Sequence, residues 1–310
     1  MDKPLLSICI PTFNRANVLN QCLRAIVDQD AYDEKVEVVV SDNCSTDNTG
    51  EIVRSYQEKY GNIRYFRNDE NLADTNFSLS LRRATGLLRK LTNDTVIYKP
   101  GAIRYMLNAV EKFADERPQL YFLSSGKQSA DPICVQTLEQ YIDIIGHNLT
   151  WIRALSIWED DCEDLDILAA EAGSNMAQVP FLLQHFKKHG GAAILDTSIM
   201  DALPVEKKNL SYGLHRVFYT NFLGFIRPYM ENGEISRECY ENLRKRLLFD
   251  FFGQWIINLE RQPERFVLSD ENLPKMIKQE YGNEAYYPEF RRKMLRPRLR
   301  AVIGRLLKRG

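Results

Sequence analysis

Hydrophobic positions along the first 125 residues come in blocks with two different periods. Residues 5–10 (Leu-Leu-Ser-Ile-Cys-Ile) are a short apolar run without amphipathic spacing, the pattern of a strand buried on both faces of a parallel sheet. Pro11 cannot donate to a ladder and is expected to end it. Val18, Leu19, Cys22, Leu23, Ile26 and Val27 then follow the i, i+3, i+4, i+7 spacing of an amphipathic helix over 15–29. A second buried strand, Val36 to Val40, runs into the polar turn 41–47. There Thr46 is the expected cap of a helix carrying Ile52, Val53 and Tyr56 on one face. Further predicted elements are a strand at 63–66, a helix at 74–88, a helix after Pro100 and a strand at 120–123.

This β-α-β-α-β-α order with short connections implies a mostly parallel sheet with helices on both faces. Ligands of such sheets bind outside the carboxyl ends of the strands, so the turns 11–15 and 41–47 are the first candidates for a site. After about residue 137 the strand signal fades. Helical patterns recur at 174–188, 214–230, 236–260 and 270–281, with one more strand expected at 190–195. A boundary is placed near residue 200, which gives an α/β domain over 1–200 and a helical region over 201–310.

Charge changes this picture at one place. The 310 residues hold 41 Lys+Arg and 42 Asp+Glu, a net charge of −1. Nine of the basic side chains and none of the acidic ones lie in residues 291–310, so the rest of the chain is acidic. No domain is basic enough for a nucleic-acid partner. At 44% hydrophobic residues the chain can bury a core, which excludes disorder as its main state. No apolar run reaches the length of a membrane span, and no secretory signal is evident at the amino end. The six cysteines are scattered without a CxxC pair, which fits free thiols in a reducing cytoplasm.

The glycine-rich phosphate cradles GxGxxG and GxxxxGK[ST] are absent, as is HExxH. His185 and His189 are four apart on one predicted helix face, a metal-capable spacing. Without a carboxylate or cysteine beside them in sequence, they read as a solvated face. In the tail, Leu295, Leu299, Val302, Ile303, Leu306 and Leu307 form a helical stripe opposite Arg298, Arg305, Lys308 and Arg309. A basic amphipathic helix of this kind suits an anionic membrane surface. The alternative is docking on the protein's own body or on a second copy in a homo-oligomer.

Three segments carry a resemblance: Ser-Ile-Cys-Ile-Pro-Thr-Phe-Asn-Arg (7–15), Val-Val-Val-Ser-Asp-Asn-Cys-Ser-Thr-Asp-Asn-Thr (38–49) and Arg-Asn-Asp-Glu-Asn-Leu-Ala-Asp-Thr-Asn-Phe (67–77). In order and spacing they resemble the start of a family-2 glycosyltransferase with the GT-A fold, over about the first 110 residues. The resemblance implies a site for a nucleotide-diphosphate sugar, UDP above all. Pro11, Thr12 and Asn14 match the turn against the nucleotide, and Asp42 matches the acid that reads its base or ribose. Asn71 and Asn76 match the family's later asparagines, with Ala73 standing where glycine is usual.

The family also expects an Asp-rich triplet that holds Mg²⁺ or Mn²⁺ on the diphosphate. Asn93-Asp94-Thr95 takes that place, and Asp94 is its sole carboxylate. The expectation is that Asp94 holds the ion, or that Lys90, Lys99 or an arginine neutralises the leaving diphosphate without it. The family's catalytic base sits at a helix head that matches 173–179 here, where no acid is present. Asp160 or Asp161, in the acidic run 159–166, is expected to supply it, with Trp151 and Trp158 as stacking candidates for an acceptor sugar. The resemblance thus implies an inverting transferase at the inner face of a cell membrane, adding sugar to a glycan or lipid-linked acceptor of a bacterial surface polysaccharide. The alternative is a GT-A partner subunit that binds nucleotide without turnover.

Overall fold

The structure, a computed structural model, describes residues 3–124, 129, 131–203 and 207–307, with the backbone alone for 301–307. In chain order the first elements are β1 (Leu6–Thr12), α1 (Ala16–Val27), β2 (Val36–Asp42), α2 (Thr49–Gln57), β3 (Ile63–Arg67), α3 (Thr75–Arg82), β4 (Leu88–Leu91) and β5 (Val96–Tyr98). They are followed by α4 (Ala102–Phe113), β6 (Gln119–Leu123), β7 (Ile133–Val135), α5 (Leu138–Ile145), β8 (Ser156–Trp158), α6 (Leu165–Ala170), α7 (Gln178–His189), β9 (Ala192–Asp196) and β10 (Met200–Ala202). The rest comprises β11 (Lys208–Leu210), α8 (Phe222–Glu231), α9 (Arg237–Arg246), α10 (Gly253–Arg261), β12 (Phe266–Leu268), α11 (Leu273–Tyr281) and α12 (Tyr287–Leu307).

The chain divides into two compact units, 1–138 with 149–204, and 139–148 with 205–310. A boundary drawn once along the sequence near residue 200 does not capture the excursion at 139–148, where the α5 segment belongs with the later helices.

In the first unit five strands lie in the order β3-β2-β1-β4-β8, all parallel except β8. Leu6, Ile8 and Ile10 of β1 and Val36, Val38 and Val40 of β2 share one buried cluster with Leu19, Leu23 and Ile26 of α1 and Ile103, Met106 and Val110 of α4. Strand side chains alternate between faces, so Ser7, Glu37 and Ser41 point the other way, onto the face that α3 covers. That second face is polar but closed. Glu37 accepts hydrogen bonds from Ser7, Arg64 and Thr85, and these hold its carboxyl below the usual range against the opposing effect of burial. Gly86 is required where β4 enters the sheet, because a Cβ there would lie 2.5 Å from Ser7 Oγ.

Two predicted boundaries move for identifiable reasons. β1 runs through Pro11 to Thr12 instead of ending before it. Cys9 O faces β4, accepting from Thr92 N at 2.8 Å, so by alternation Pro11 faces the same side. The β1–β4 ladder has already ended at Cys9–Leu91, so the missing N–H costs no strand bond. The helix expected over 74–88 stops at Arg82, and Leu88–Leu91 is a strand.

In the second unit, Phe290 and Met294 of α12 lie against Gly253 of α10, at 3.4 and 3.3 Å from where its Cβ would be. Leu295 and Leu299, on another side of α12, are 64% and 56% exposed. Among the described residues, no helix is long and apolar enough to cross a membrane.

Candidate active site

The carboxyl ends of β1, β2 and β4 bring together most of the residues expected from the sequence. Thr12 is the last residue of β1, and Asp42 stands opposite it as the last of β2. Asn14, in the left-handed region at φ 51°, ties the two turns. Its N–H donates to Ser45 Oγ at 2.9 Å, and its Oδ1 accepts from Thr46 N at 2.7 Å. Thr46 is therefore held by the neighbouring turn, and the cap of α2 is Asn48 instead. Asp47 accepts from Ala16 N and from Thr49 N and Oγ1, which links the starts of α1 and α2.

Asp42 is buried and held on both oxygens. Oδ1 accepts from Ser45 N at 2.8 Å and Oδ2 from Tyr65 Oη at 2.6 Å. Burial, and then this hydrogen bond to a carboxylate, push the Tyr65 phenol upward. Next to it, Asn43 donates to Asn71 Oδ1 at 2.7 Å, and Asn76 is buried between Ser41 and Asn68. Asn71 and Asn76 thus shape the loop that carries Ala73. Ala73 has φ 47°, a conformation that costs a Cβ-bearing residue about 1–2 kcal/mol and accounts for glycine being usual there. Asp74 follows, half-buried. Burial raises its pKa in spite of a hydrogen bond to Asn175 at the head of α7.

Asp94 is buried beneath the β1 turn. Its Oδ2 accepts from Thr12 Oγ1 at 2.9 Å, and its Oδ1 pairs with Arg15 Nη1 at 2.9 Å. Arg15 itself is half exposed. Lys90 and Lys99, the expected alternatives for the diphosphate, point elsewhere. Lys90 is fully buried under Phe122, and its Nζ donates to the carbonyls of Leu91 and Arg153. Burial, with Arg153 nearby, pushes its pKa down to about 7. Lys99 is engaged by Ser198 at 2.8 Å and Asp201 at 3.1 Å.

Asp160 and Asp161 are not brought to this site. β8 is antiparallel to β4, with Trp158 opposite Leu88, the first residue of β4. The turn Glu159–Asp164 therefore emerges at the amino end of the parallel strands, the opposite end from the turns at 12–15 and 42–47. Asp160 pairs there with Arg117. Asp161 is buried against His185, His189 and Lys188, and despite burial the two histidines pull its carboxyl well below the usual range. Trp158 is a core residue whose Nε1 donates to Pro118 O at 2.7 Å, while Trp151 stacks under Arg153. Arg15 lies in the turn 11–15 already marked as a candidate, while the sequence does not single out Tyr65 or Asp74. Arg15 and Asp74 lie inside the quoted segments, and Tyr65 alternates onto the carboxyl end of β3; only the fold shows what each faces.

A mostly parallel sheet with paired polar turns at its carboxyl ends is an α/β domain of the GT-A type. Residues 7–116 match Glycosyl transferase family 2. Among relatives, the abequosyltransferase RfbV of Salmonella typhimurium is 40% identical over 84 residues, 26% of this chain and 25% of that protein. The GalNAc(5)-diNAcBac-PP-undecaprenol beta-1,3-glucosyltransferase of Campylobacter jejuni is 40% identical over 65 residues, 21% of this chain and 20% of that protein. These alignments span a quarter or less of the relatives' lengths.

Similarity of fold extends further. Residues 1–349 of S. aureus TarS in complex with UDP-GlcNAc align at a TM-score of 0.59 and 16% identity, covering 96% of this chain and 90% of that one. The mannosyltransferase PcManGT of Pyrobaculum calidifontis, in complex with GDP-Man and Mn²⁺, aligns at 0.54 and 16% identity, covering 100% and 89%.

Proposed function

We propose that the protein is an inverting glycosyltransferase that takes a sugar from a nucleoside-diphosphate donor, UDP-linked, and adds that sugar to a growing surface glycan on a lipid-linked acceptor, releasing the nucleoside diphosphate. The observation that carries this reading is the joined pair of turns at Thr12–Arg15 and Asp42–Asp47, inside the segment that matches the family. The UDP complexes of the TarS neighbour and the undecaprenol-linked substrate in the Campylobacter relative's name favour the donor and acceptor classes.

Two of the four acceptor positions on Asp42 are used by Ser45 and Tyr65. A carboxylate offers about four, so two remain for the donors of a nucleobase or ribose. In the transfer, the acceptor oxygen loses its proton to a base and bonds to the anomeric carbon. The bond from that carbon to the diphosphate oxygen breaks, and its electron pair leaves with the nucleoside diphosphate. With Asp160 and Asp161 at the other end of the sheet, the base in this reading is Asp74. It lies beside the Asn43–Asn71 loop, and a raised pKa suits proton transfer near neutrality.

A divalent ion on Asp94, as expected from the sequence, would have to compete with Thr12 and Arg15 for this carboxylate. A hard cation needs several oxygen ligands, and this single buried carboxylate already gives one acceptor position to Thr12 and one to Arg15. Arg15 takes over the electrostatic role. Its planar fork has five donors, one is spent on Asp94, and a half-exposed guanidinium at this turn can stabilise the leaving diphosphate.

The tail reading is membrane docking. Leu295 and Leu299 are exposed beside Arg292, Arg296 and Arg300, while the other side of α12 packs on α10. Residues 308–310 and the side chains of 301–307, including Val302, Ile303, Leu306 and Leu307 of the stripe, lie outside the described residues.

The same occupied Asp94 favours one rival, a partner subunit that binds nucleotide without turnover. A thermal-shift panel of nucleoside-diphosphate sugars, followed by assay of released nucleoside diphosphate with a lipid-linked acceptor, separates the two. Stabilisation with turnover supports the transferase, stabilisation alone supports the rival, and no stabilisation by any member rejects both. A ligand at a hundred times its Kd adds about 2.7 kcal/mol to stability.

A further inference from the structure

The amino end of the sheet holds a second group of polar side chains that the sugar-nucleotide reading does not use. His185 and His189 lie one turn apart on α7, with ring centroids 4.5 Å apart. Their Nε2 atoms face the two oxygens of Asp161, at 2.9 Å for His185 and 3.0 Å for His189. These three ligand atoms all lie within 4.8 Å of one another. The carboxylate that the sequence did not show beside the histidines comes from a turn more than twenty residues away.

His185 supplies a second, independent sign. It is 2% exposed, and neither ring nitrogen has a hydrogen-bond partner of acceptable geometry, the short Nε2–Asp161 contact included. A buried imidazole left this way is uncommon, because unpaired buried polar groups cost about 1–3 kcal/mol. A cavity of about 130 Å³ adjoins it, lined by Asp164, Ile167, Phe181, Gln184, His185 and Lys188.

The geometry points to a zinc site in which His185 Nε2, His189 Nε2 and an Asp161 oxygen are three ligands, and a water is the fourth. The donor set is two imidazoles and a carboxylate, which selects zinc over magnesium or calcium. The His-x₃-His spacing on a helix presents both rings to one ion. The two imidazole–carboxylate separations, 2.9 and 3.0 Å, are close to an edge of the tetrahedron that bonds of about 2.0–2.1 Å would draw. Among the described residues, Lys188 Nζ, 3.1 Å from Asp161 Oδ1, is the cation that an ion there would displace. It is half exposed on a long side chain and already reaches Asp164 at 2.6 Å, so it can withdraw to that partner. The ion would pin the end of α7 to the turn after β8. This role is separate from sugar transfer and independent of the donor-site reading.

The test is zinc binding by the purified full chain after removal of metal, measured by competition with a chromophoric chelator and by melting temperature. One equivalent of zinc per chain and a raised melting temperature are expected. His189→Gln, at the partly exposed ligand, should weaken binding by at least about a hundredfold, the upper end of what losing an outer partner of a metal site costs. His215→Gln, far along the sequence on another element, should leave it unchanged. Cobalt in place of zinc should give visible bands without a thiolate charge-transfer band, which excludes the cysteines as ligands. No binding by the wild type, or equal binding by the wild type and His189→Gln, would overturn the proposal.

Discussion

Arg15 and Asp94 meet 2.9 Å apart beneath the first turn, and Thr12 closes the other oxygen of the same carboxylate. In the proposed transfer this pair would decide whether the guanidinium or an ion stabilises the leaving diphosphate. If the guanidinium does it, transfer persists in EDTA, and Arg15→Ala lowers kcat by about 10²-fold, the scale for one preorganised donor. Loss of all transfer in EDTA with recovery on Mn²⁺ would show that an ion displaces Arg15 from Asp94.

Asp74 and Asp160 are distinguished by kinetics. Asp74→Asn should lower kcat by about 10²–10⁴-fold with donor affinity intact. Asp160→Asn should leave kcat unchanged, since its carboxylate pairs with Arg117 at the far end of the strands. The reverse pattern would return the base to the acidic turn.

How much of this was legible in sequence varied with the kind of information. The first six elements came from periodicity, because strands buried on both faces and one-sided helices leave strong patterns. The helix over 74–88 was overrun into β4, since Lys90 and Arg89 give Leu88–Leu91 no apolar period. Burying Lys90 in a strand depends on carbonyls of Leu91 and Arg153 that no local pattern shows. Site residues on the quoted segments came together because they sit at strand ends. Asp160 and Asp161 were misplaced because the direction of β8 is a tertiary fact: one antiparallel strand turns the acidic run to the opposite end.

Lys90 makes stability depend on pH. Its folded pKa of about 7 lies below the ordinary lysine value, so between about pH 7 and 10 the unfolded chain binds the extra proton. Stability attributable to this group therefore rises with pH through that window and is lowest below it. In denaturant melts, Lys90→Met should gain most over the wild type at pH 7 and below, and its advantage should shrink toward pH 10. A difference independent of pH would show that Lys90 stays charged when buried.

Membrane docking through α12 rests on Leu295 and Leu299 with the arginines beside them. Each basic residue near an anionic leaflet contributes about 1 kcal/mol, and apolar burial adds about 25 cal/mol per Å². Leu295→Ser with Leu299→Ser should weaken binding to anionic vesicles without lowering the melting temperature, because both side chains are exposed. Wild-type binding that is equal on neutral and anionic vesicles, or unchanged in the double variant, would remove the membrane from the account.

The most direct test of the central claim is the affinity for UDP, by calorimetry in EDTA, of the wild type, Asp42→Asn and Asp42→Ala. Asn keeps the acceptor for Ser45 N but replaces an acceptor with a donor where the nucleotide would bind. If the paired turns hold the nucleotide, the wild type binds and both variants lose about 1.5–3 kcal/mol, the range for a charged hydrogen bond, while keeping the wild-type circular dichroism. Folded variants that bind UDP as tightly as the wild type would contradict it.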